Sequence, residues 1–285
     1  MSSDSNTHRK IAESESIALD SRSLELRRQM VGVFDSARRG HVGSAFSLVE
    51  ILRVLYDDFL RYDSARPDWA GRDRFILSKG HGCIALYVVL AEKGFFPSDE
   101  LAKFCKTEGI LGGHPDHRKV PGIEVSTGSL GHGLPIGVGF ALNARYEESG
   151  ARTVVVVGDG ESNEGSIWEA ALSAGKHRLS DLTVMVDYNK NQSYGTTTYV
   201  QDLEPIMDKW RAFGFAVVEV NGHDVADIKA ALDAPPTDSG KPKAIICHTV
   251  KGKGIDFVEG NMDWHHKSKA SDDDIQELLS ALEES

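Results

Sequence analysis

Cysteine is almost absent from this chain: three residues in 285, at Cys83, Cys105 and Cys247, with no CxxC spacing. A sparse, odd set makes no disulfide framework and fits a reducing compartment. No stretch approaches the roughly 18 consecutive apolar residues of a membrane-spanning helix, so no membrane association is expected. The opening MSSDSNTHRK also lacks the apolar core of a signal peptide, and a cytoplasmic location follows as the expectation. Positive charge is in deficit, with 32 Lys and Arg against 43 Asp and Glu and a formal net charge of −11. That balance argues against nucleic acid or an anionic membrane as the main partner, although a local cluster of donors can still hold a small anion. With 40% hydrophobic and 26% charged residues, the composition excludes wholesale disorder and leaves enough material for a substantial core.

Glycine is plentiful: 28 residues, clustered in a way that suggests tight backbone sites rather than linkers. Apolar residues at helical spacing predict a first helix over Ile17–Arg38, ending before Gly40. A second is expected over Ser47–Leu60, with Ser47 and Glu50 in the positions of a capping box. A short strand at Arg74–Leu77 leads through Ser-Lys-Gly-His-Gly into a helix over Cys83–Lys93, and Gly112–Ser129 reads as a long functional loop. A helix is expected over Gly131–Glu148, then the strand Thr153–Val157, which is apolar without alternation, as when both sheet faces are covered. Ser166–His177 is helical; Leu182–Val186, Val217–Val220 and Ala244–His248 are strands. This alternation predicts an α/β fold with a mostly parallel sheet and helices on both faces. Residues 1–14 read as a flexible lead and 15–285 as one domain, with 234–242 an exposed loop.

The strongest chemical signal is Gly158-Asp159-Gly160 directly after a buried strand, with Asn189 directly after another. In open α/β sheets ligands sit outside the carboxyl ends of strands, so both residues face one crevice. A carboxylate and an amide oxygen suit a hard cation, Mg²⁺ or Ca²⁺, completed by diphosphate oxygens, and the glycines admit phosphate to the backbone. A bare Asp-Gly is also a common turn; the matched Asn189 is what lifts it above that.

GDG followed by Asn at this distance resembles the thiamine diphosphate-binding motif. GDGESNEG, DYNKNQ, LSKGHG, TGSLGHG and HTVKGKG together resemble the transketolase family over about Arg39–His265, and they fall in the family's order along the chain. The resemblance covers only that family's N-terminal half and implies the thiamine diphosphate-binding fold in its diphosphate-anchoring domain. It implies Asp159, Asn189 and the carbonyl of Asn191 as metal ligands. Cofactor contacts are implied at His41, His81, Gly128, Leu130, His132, Gly158, Gly160, Glu161 and His265. It further implies that Glu164 meets the cofactor-activating glutamate across a subunit interface, and that His114 holds the donor's first hydroxyl. His41, His114, His265 and Glu164 are the candidate catalytic set. Imidazoles near neutral pH are suited to the proton exchanges of sugar-carbonyl chemistry.

The chain departs from many relatives at Val42 after His41 and at His266 after His265, the latter bearing on the acceptor. Lys79, Lys251 and Lys253 read equally as phosphate neutralisers or solvated turns. Trp168, Trp210, Phe213 and Phe215 read as core or interface. The resemblance implies a split transketolase that moves a two-carbon ketol unit between sugars or sugar phosphates. A second chain would carry the pyrimidine-binding domain, in an α₂β₂ assembly. Two alternatives stand beside it: the α-chain of a 2-oxo acid dehydrogenase, and a non-catalytic, cofactor-binding regulatory protein.

Overall fold

The computed structural model describes residues 3–235 and 240–284; the segment 236–239 of the expected exposed loop lies outside the described residues. The chain opens with α1 (Ser3–Ser16), α2 (Ser21–Ala37), α3 (Val42–Phe46) and α4 (Val49–Val54). Strand β1 (Arg74–Leu77) and helix α5 (Cys83–Glu92) follow, and then an irregular stretch up to α6 (Gly133–Tyr146). Next come β2 (Thr153–Gly158), α7 (Gly165–His177), β3 (Leu182–Tyr188), α8 (Thr197–Val200) and α9 (Ile206–Ala212). The chain finishes with β4 (Ala216–Asn221), α10 (Val225–Asp233), β5 (Lys243–His248) and α11 (Asp272–Glu284).

The five strands form one sheet in the order β1-β2-β3-β5-β4, and every neighbouring pair is parallel. Side chains alternate across a strand. Val154 and Val156 of β2 therefore enter one core with α2, α4, α5, α10 and α11, while Val155 and Val157 enter a second with α6, α7 and α9. Both faces are dry, and the strand sequences consequently read as continuous apolar runs. No helix among the described residues is long and apolar enough to cross a membrane.

Three local expectations are corrected. The first long helix starts at Ser21, because the Asp20 carboxylate caps it by accepting from the Ser23 backbone N–H at 2.8 Å. Ser47 caps nothing: helical backbone already begins at Val42, and its hydroxyl donates to Asp187 at 2.7 Å, while Glu50 lies buried against Arg27. The expected flexible lead is helical over residues 3–14. That helix is held by polar contacts that hydrophobic periodicity does not register, from Asn6 and Thr7 to Glu219 and from Lys10 to Asp227.

Trp210 anchors the second core. It is fully buried, with Trp168 and Phe215 at ring-centroid distances of 5.2 and 5.0 Å. Trp210→Ala is expected to cost about 3–5 kcal/mol of unfolding free energy in urea titrations, the range for emptying a buried aromatic site. A loss below about 1 kcal/mol would show that the site collapses without penalty.

Candidate active site

Parallel pairing of β2 with β3 sets Gly158 beside Asp187, so the residues that follow each strand leave the sheet side by side. Asp159 is buried and accepts from the backbone N–H groups of Gly160 at 2.7 Å and Lys190 at 2.5 Å. Burial and the neighbouring Asp187 push its carboxyl up to about 6, the mark of an anion lacking a compensating cation. Asn189 donates its amide N–H to Asp187 at 3.3 Å, which turns its carbonyl oxygen away from that carboxylate. Asn191 presents its backbone carbonyl to the Lys251 ammonium at 3.1 Å.

Asp187 is the fixed point beneath these residues. It is fully buried and accepts from Lys79, Ser47, Thr249 and Asn189. Burial pushes its pKa up, but the Lys79 ammonium outweighs this and holds the carboxyl below its ordinary value. Glu161 plays a matching part on the other side. Ser78, the Gly131 N–H at 2.9 Å and the Gly158 N–H at 3.0 Å all donate to its carboxylate, so it braces the loop walls from behind.

These elements enclose a cavity of about 470 Å³. Every candidate site residue lines it except His132, which is a correction. His132 is exposed at the start of α6, with its ring folded back on the Leu130 carbonyl at 3.0 Å. Histidines arrive from four separate segments: His41 before α3, His81 before α5, His114 on the long irregular loop and His265 near the end. Ring centroids lie 5.3 Å apart for His41 and His81, 6.3 Å for His41 and His114, and 5.9 Å for His41 and His265. Gly128 makes room for this cluster: its φ is +141°, and a Cβ there would stand 3.0 Å from His114. His266 lies against His41 at 4.5 Å, so the bulk beside His265 bears on His41 instead.

Burial, then the neighbouring His266, His114 and Lys251, lower His41 to about 4. Burial and Lys251 lower His265 to about 3, and burial also lowers His81 and His114. In the free chain these imidazoles are therefore neutral near pH 7, and an anion in the cavity would draw their proton affinity back up.

Sequence spacing left two cations undecided. Lys79 and Lys251 are both buried in the cavity wall, and burial with the Lys79 charge lowers Lys251 to about 8. Lys253 belongs elsewhere, donating to the Glu15 carbonyl at 2.7 Å. Ser44 and Gln192 also line the cavity, and no sequence signal pointed to either. The Gln192 amide nitrogen is buried without a partner, a donor left for a ligand acceptor. Two ammonium groups, an orphaned amide donor and Gly160 backbone fit a diphosphate. An undercompensated carboxylate, an amide oxygen and a carbonyl fit a hard divalent cation.

The depressed His41 value has a definite sign. An imidazole that ionises near 6.5 in the unfolded chain and near 4 in the folded one binds its proton more readily when unfolded. It therefore contributes stability that is present above about pH 6.5 and lost as the pH falls towards 4. Urea titrations between those limits are expected to show a shallower loss for His41→Asn than for wild type. An unchanged slope would contradict a buried, neutral His41.

Comparison with known proteins agrees with this geometry. The family profile described as "Transketolase, thiamine diphosphate binding domain" matches residues 21–283. One of the two subunits named for apulose-4-phosphate transketolase in Phocaeicola vulgatus is 42% identical over 87% of this chain and 88% of its own. The 6-deoxy-6-sulfo-D-fructose transketolase subunit SqwG of a Clostridium species is 44% identical over 80% of this chain and 82% of its own. A crystal structure of a transketolase mutant from Pichia stipitis superposes with a TM-score of 0.85 at 30% identity, covering 92% of this chain but only 40% of that one. The chain thus spans most of the subunit-sized relatives and less than half of the full-length one. It belongs to the transketolase family, as a thiamine diphosphate-binding domain.

Proposed function

We propose that this chain is the N-terminal, diphosphate-anchoring subunit of a split transketolase. In this reading it moves a two-carbon ketol unit from a ketose or ketose phosphate to an aldose or aldose phosphate. The observation that carries the reading is the pair of adjacent strand ends, β2 and β3. They bring Asp159 and Asn189 together at the floor of a cavity walled by Lys79, Lys251 and four buried or half-buried histidines. Asp159, Asn189 and the Asn191 carbonyl would hold a divalent cation, Mg²⁺ or Ca²⁺. Lys79, Lys251, His81, Gly160 and Gln192 would hold the diphosphate.

When bound, thiamine diphosphate supplies the electron sink that lets the bond beside a ketose carbonyl be broken and remade. The chain's own groups bind, orient and exchange protons. His41 and His265 stand 5.9 Å apart across the cavity, placed to take and return protons of sugar hydroxyls as neutral imidazoles. His114, against Gly128, would hold the donor's terminal hydroxyl. Glu164 faces the cavity at the start of α7, where it would meet a carboxylic acid of the second chain.

The names of the subunit-sized relatives, together with coverage of under half of a full-length transketolase, support a second chain that completes the site. That chain would carry the pyrimidine-binding domain, in an α₂β₂ complex. The three cysteines are all free, in keeping with a cytoplasmic enzyme.

Ketol transfer between sugar phosphates should be measured for the chain alone, for its complex with the second chain, and for the complex carrying Asp159→Ala. The expected result is no turnover alone and turnover in the complex. Thiamine diphosphate affinity should fall 10- to 100-fold or more in the variant, on the scale of losing a metal ligand or its support. Equal turnover by the single chain, or decarboxylation of 2-oxo acids in place of ketol transfer, would overturn the reading.

A further inference from the structure

Beneath the wall that carries Lys251 lies a buried ionic network to which the chemistry above gives no role. Arg27 of α2, Glu50 of α4 and His223, between β4 and α10, are all within 3% of complete burial. Arg27 grips Glu50 with two guanidinium nitrogens at 2.7 and 3.1 Å. It spends its other donors on the carbonyls of Ser23, Phe46 and Lys253 at 3.1, 3.0 and 2.7 Å. From the opposite side His223 brings Nδ1 to 2.8 Å from Glu50 Oε2. Its Nε2 lies 2.8 Å from the backbone nitrogen of Val250.

That last contact settles the tautomer. A backbone N–H can only donate, so Nε2 holds the lone pair and Nδ1 carries the hydrogen. Hydrogen bonds therefore run in one direction, from Val250 to His223 to Glu50, and end on a carboxylate neutralised by Arg27.

The segment held in this way is the turn after β5, residues 249–254. It has neither helix nor strand to fix it, and Gly252 and Gly254 take φ of +87° and +96°. Three contacts pin it: Val250 N–H on His223, Lys253 carbonyl on Arg27, and Gly252 N–H on the Gly43 carbonyl at 3.0 Å. Lys251 stands between these anchors and projects the opposite way, its ammonium meeting the Asn191 carbonyl and His265 Nδ1. A buried ionic cluster contributes little net stability compared with an apolar filling of equal volume. What it does impose is geometry, since each member accepts one arrangement only.

We propose that Glu50 and His223 are positioning residues: they hold the 249–254 turn at the depth that keeps the Lys251 ammonium at the anion-binding end of the cavity. This rests on the diphosphate reading of the site. The test is calorimetric titration of inorganic pyrophosphate with Mg²⁺ into wild type, His223→Phe, Glu50→Gln, Lys251→Met and the double variant His223→Phe/Lys251→Met, with thermal unfolding of each.

His223→Phe and Lys251→Met are each expected to weaken pyrophosphate binding about tenfold or more, the loss typical when a supporting partner of a binding group is removed. The double variant should bind no more weakly than Lys251→Met alone, because the two changes act on one ammonium. His223→Gln, whose amide can accept from Val250 and donate to Glu50, should recover most of the affinity. Glu50→Gln should fall between wild type and His223→Phe. If His223→Phe does not fold, the Glu50→Gln and His223→Gln variants carry the same comparison.

A merely structural role would lower the unfolding midpoint and leave affinity within twofold of wild type, which would overturn the proposal. Additive losses in the double variant would overturn it too. A wild-type chain that binds no pyrophosphate would overturn the diphosphate reading first and this inference with it.

Discussion

Parallel pairing of β2 with β3 is the constraint on which the site depends. Two neighbouring strands that point the same way must end on the same edge, and there the next residues are free of the ladder. Asp159 follows one strand and Asn189 the other, and both side chains leave towards a single crevice. The sheet cannot move one of them without the other. Covered faces on both sides, one packed by α2, α5 and α10 and one by α6, α7 and α9, make that pairing rigid.

Rigidity alone would leave a buried carboxylate beside a second buried carboxylate, Asp159 beside Asp187. The structure resolves half of this conflict internally. Lys79, Ser47 and Thr249 converge on Asp187, and Asn189 leans on it through its amide group. Asp159 receives only backbone donors from Gly160 and Lys190. One carboxylate is balanced by the protein, the other is left for a cation, and Asn189 stands between them with its oxygen free to join that cation. The same division appears in the donors: Glu161 is saturated from behind, whereas Lys79, Lys251 and the Gln192 amide face the cavity.

Much of this was legible in the sequence. β2 and β3 announce themselves as unbroken apolar runs because they are dry on both faces, and Gly-Asp-Gly and Asn189 close them where a ligand belongs. His41, His81, His114 and His265 stand out because glycines or irregular loops flank them. What escaped follows a common pattern. Ser47 and Glu50 satisfy a local capping rule, but their side chains are used by long-range partners, Asp187 and Arg27. Lys79 and Lys251 look like surface turn residues until tertiary packing buries them. His132 sits in a glycine-rich motif but points out of the cavity, since α6 begins there and turns its ring back on the chain. α1 is anchored through polar contacts to Glu219 and Asp227, which hydrophobic periodicity cannot detect.

The central claim is that the joined ends of β2 and β3 form a cation-dependent diphosphate anchor. The most direct measurement is anomalous diffraction from crystals of the two-chain complex grown with Mn²⁺ and thiamine diphosphate. One peak is predicted, ligated by the Asp159 carboxylate, the Asn189 side-chain oxygen, the Asn191 carbonyl and two diphosphate oxygens. A diphosphate bound with no peak there, or a peak held by other residues, would contradict the account.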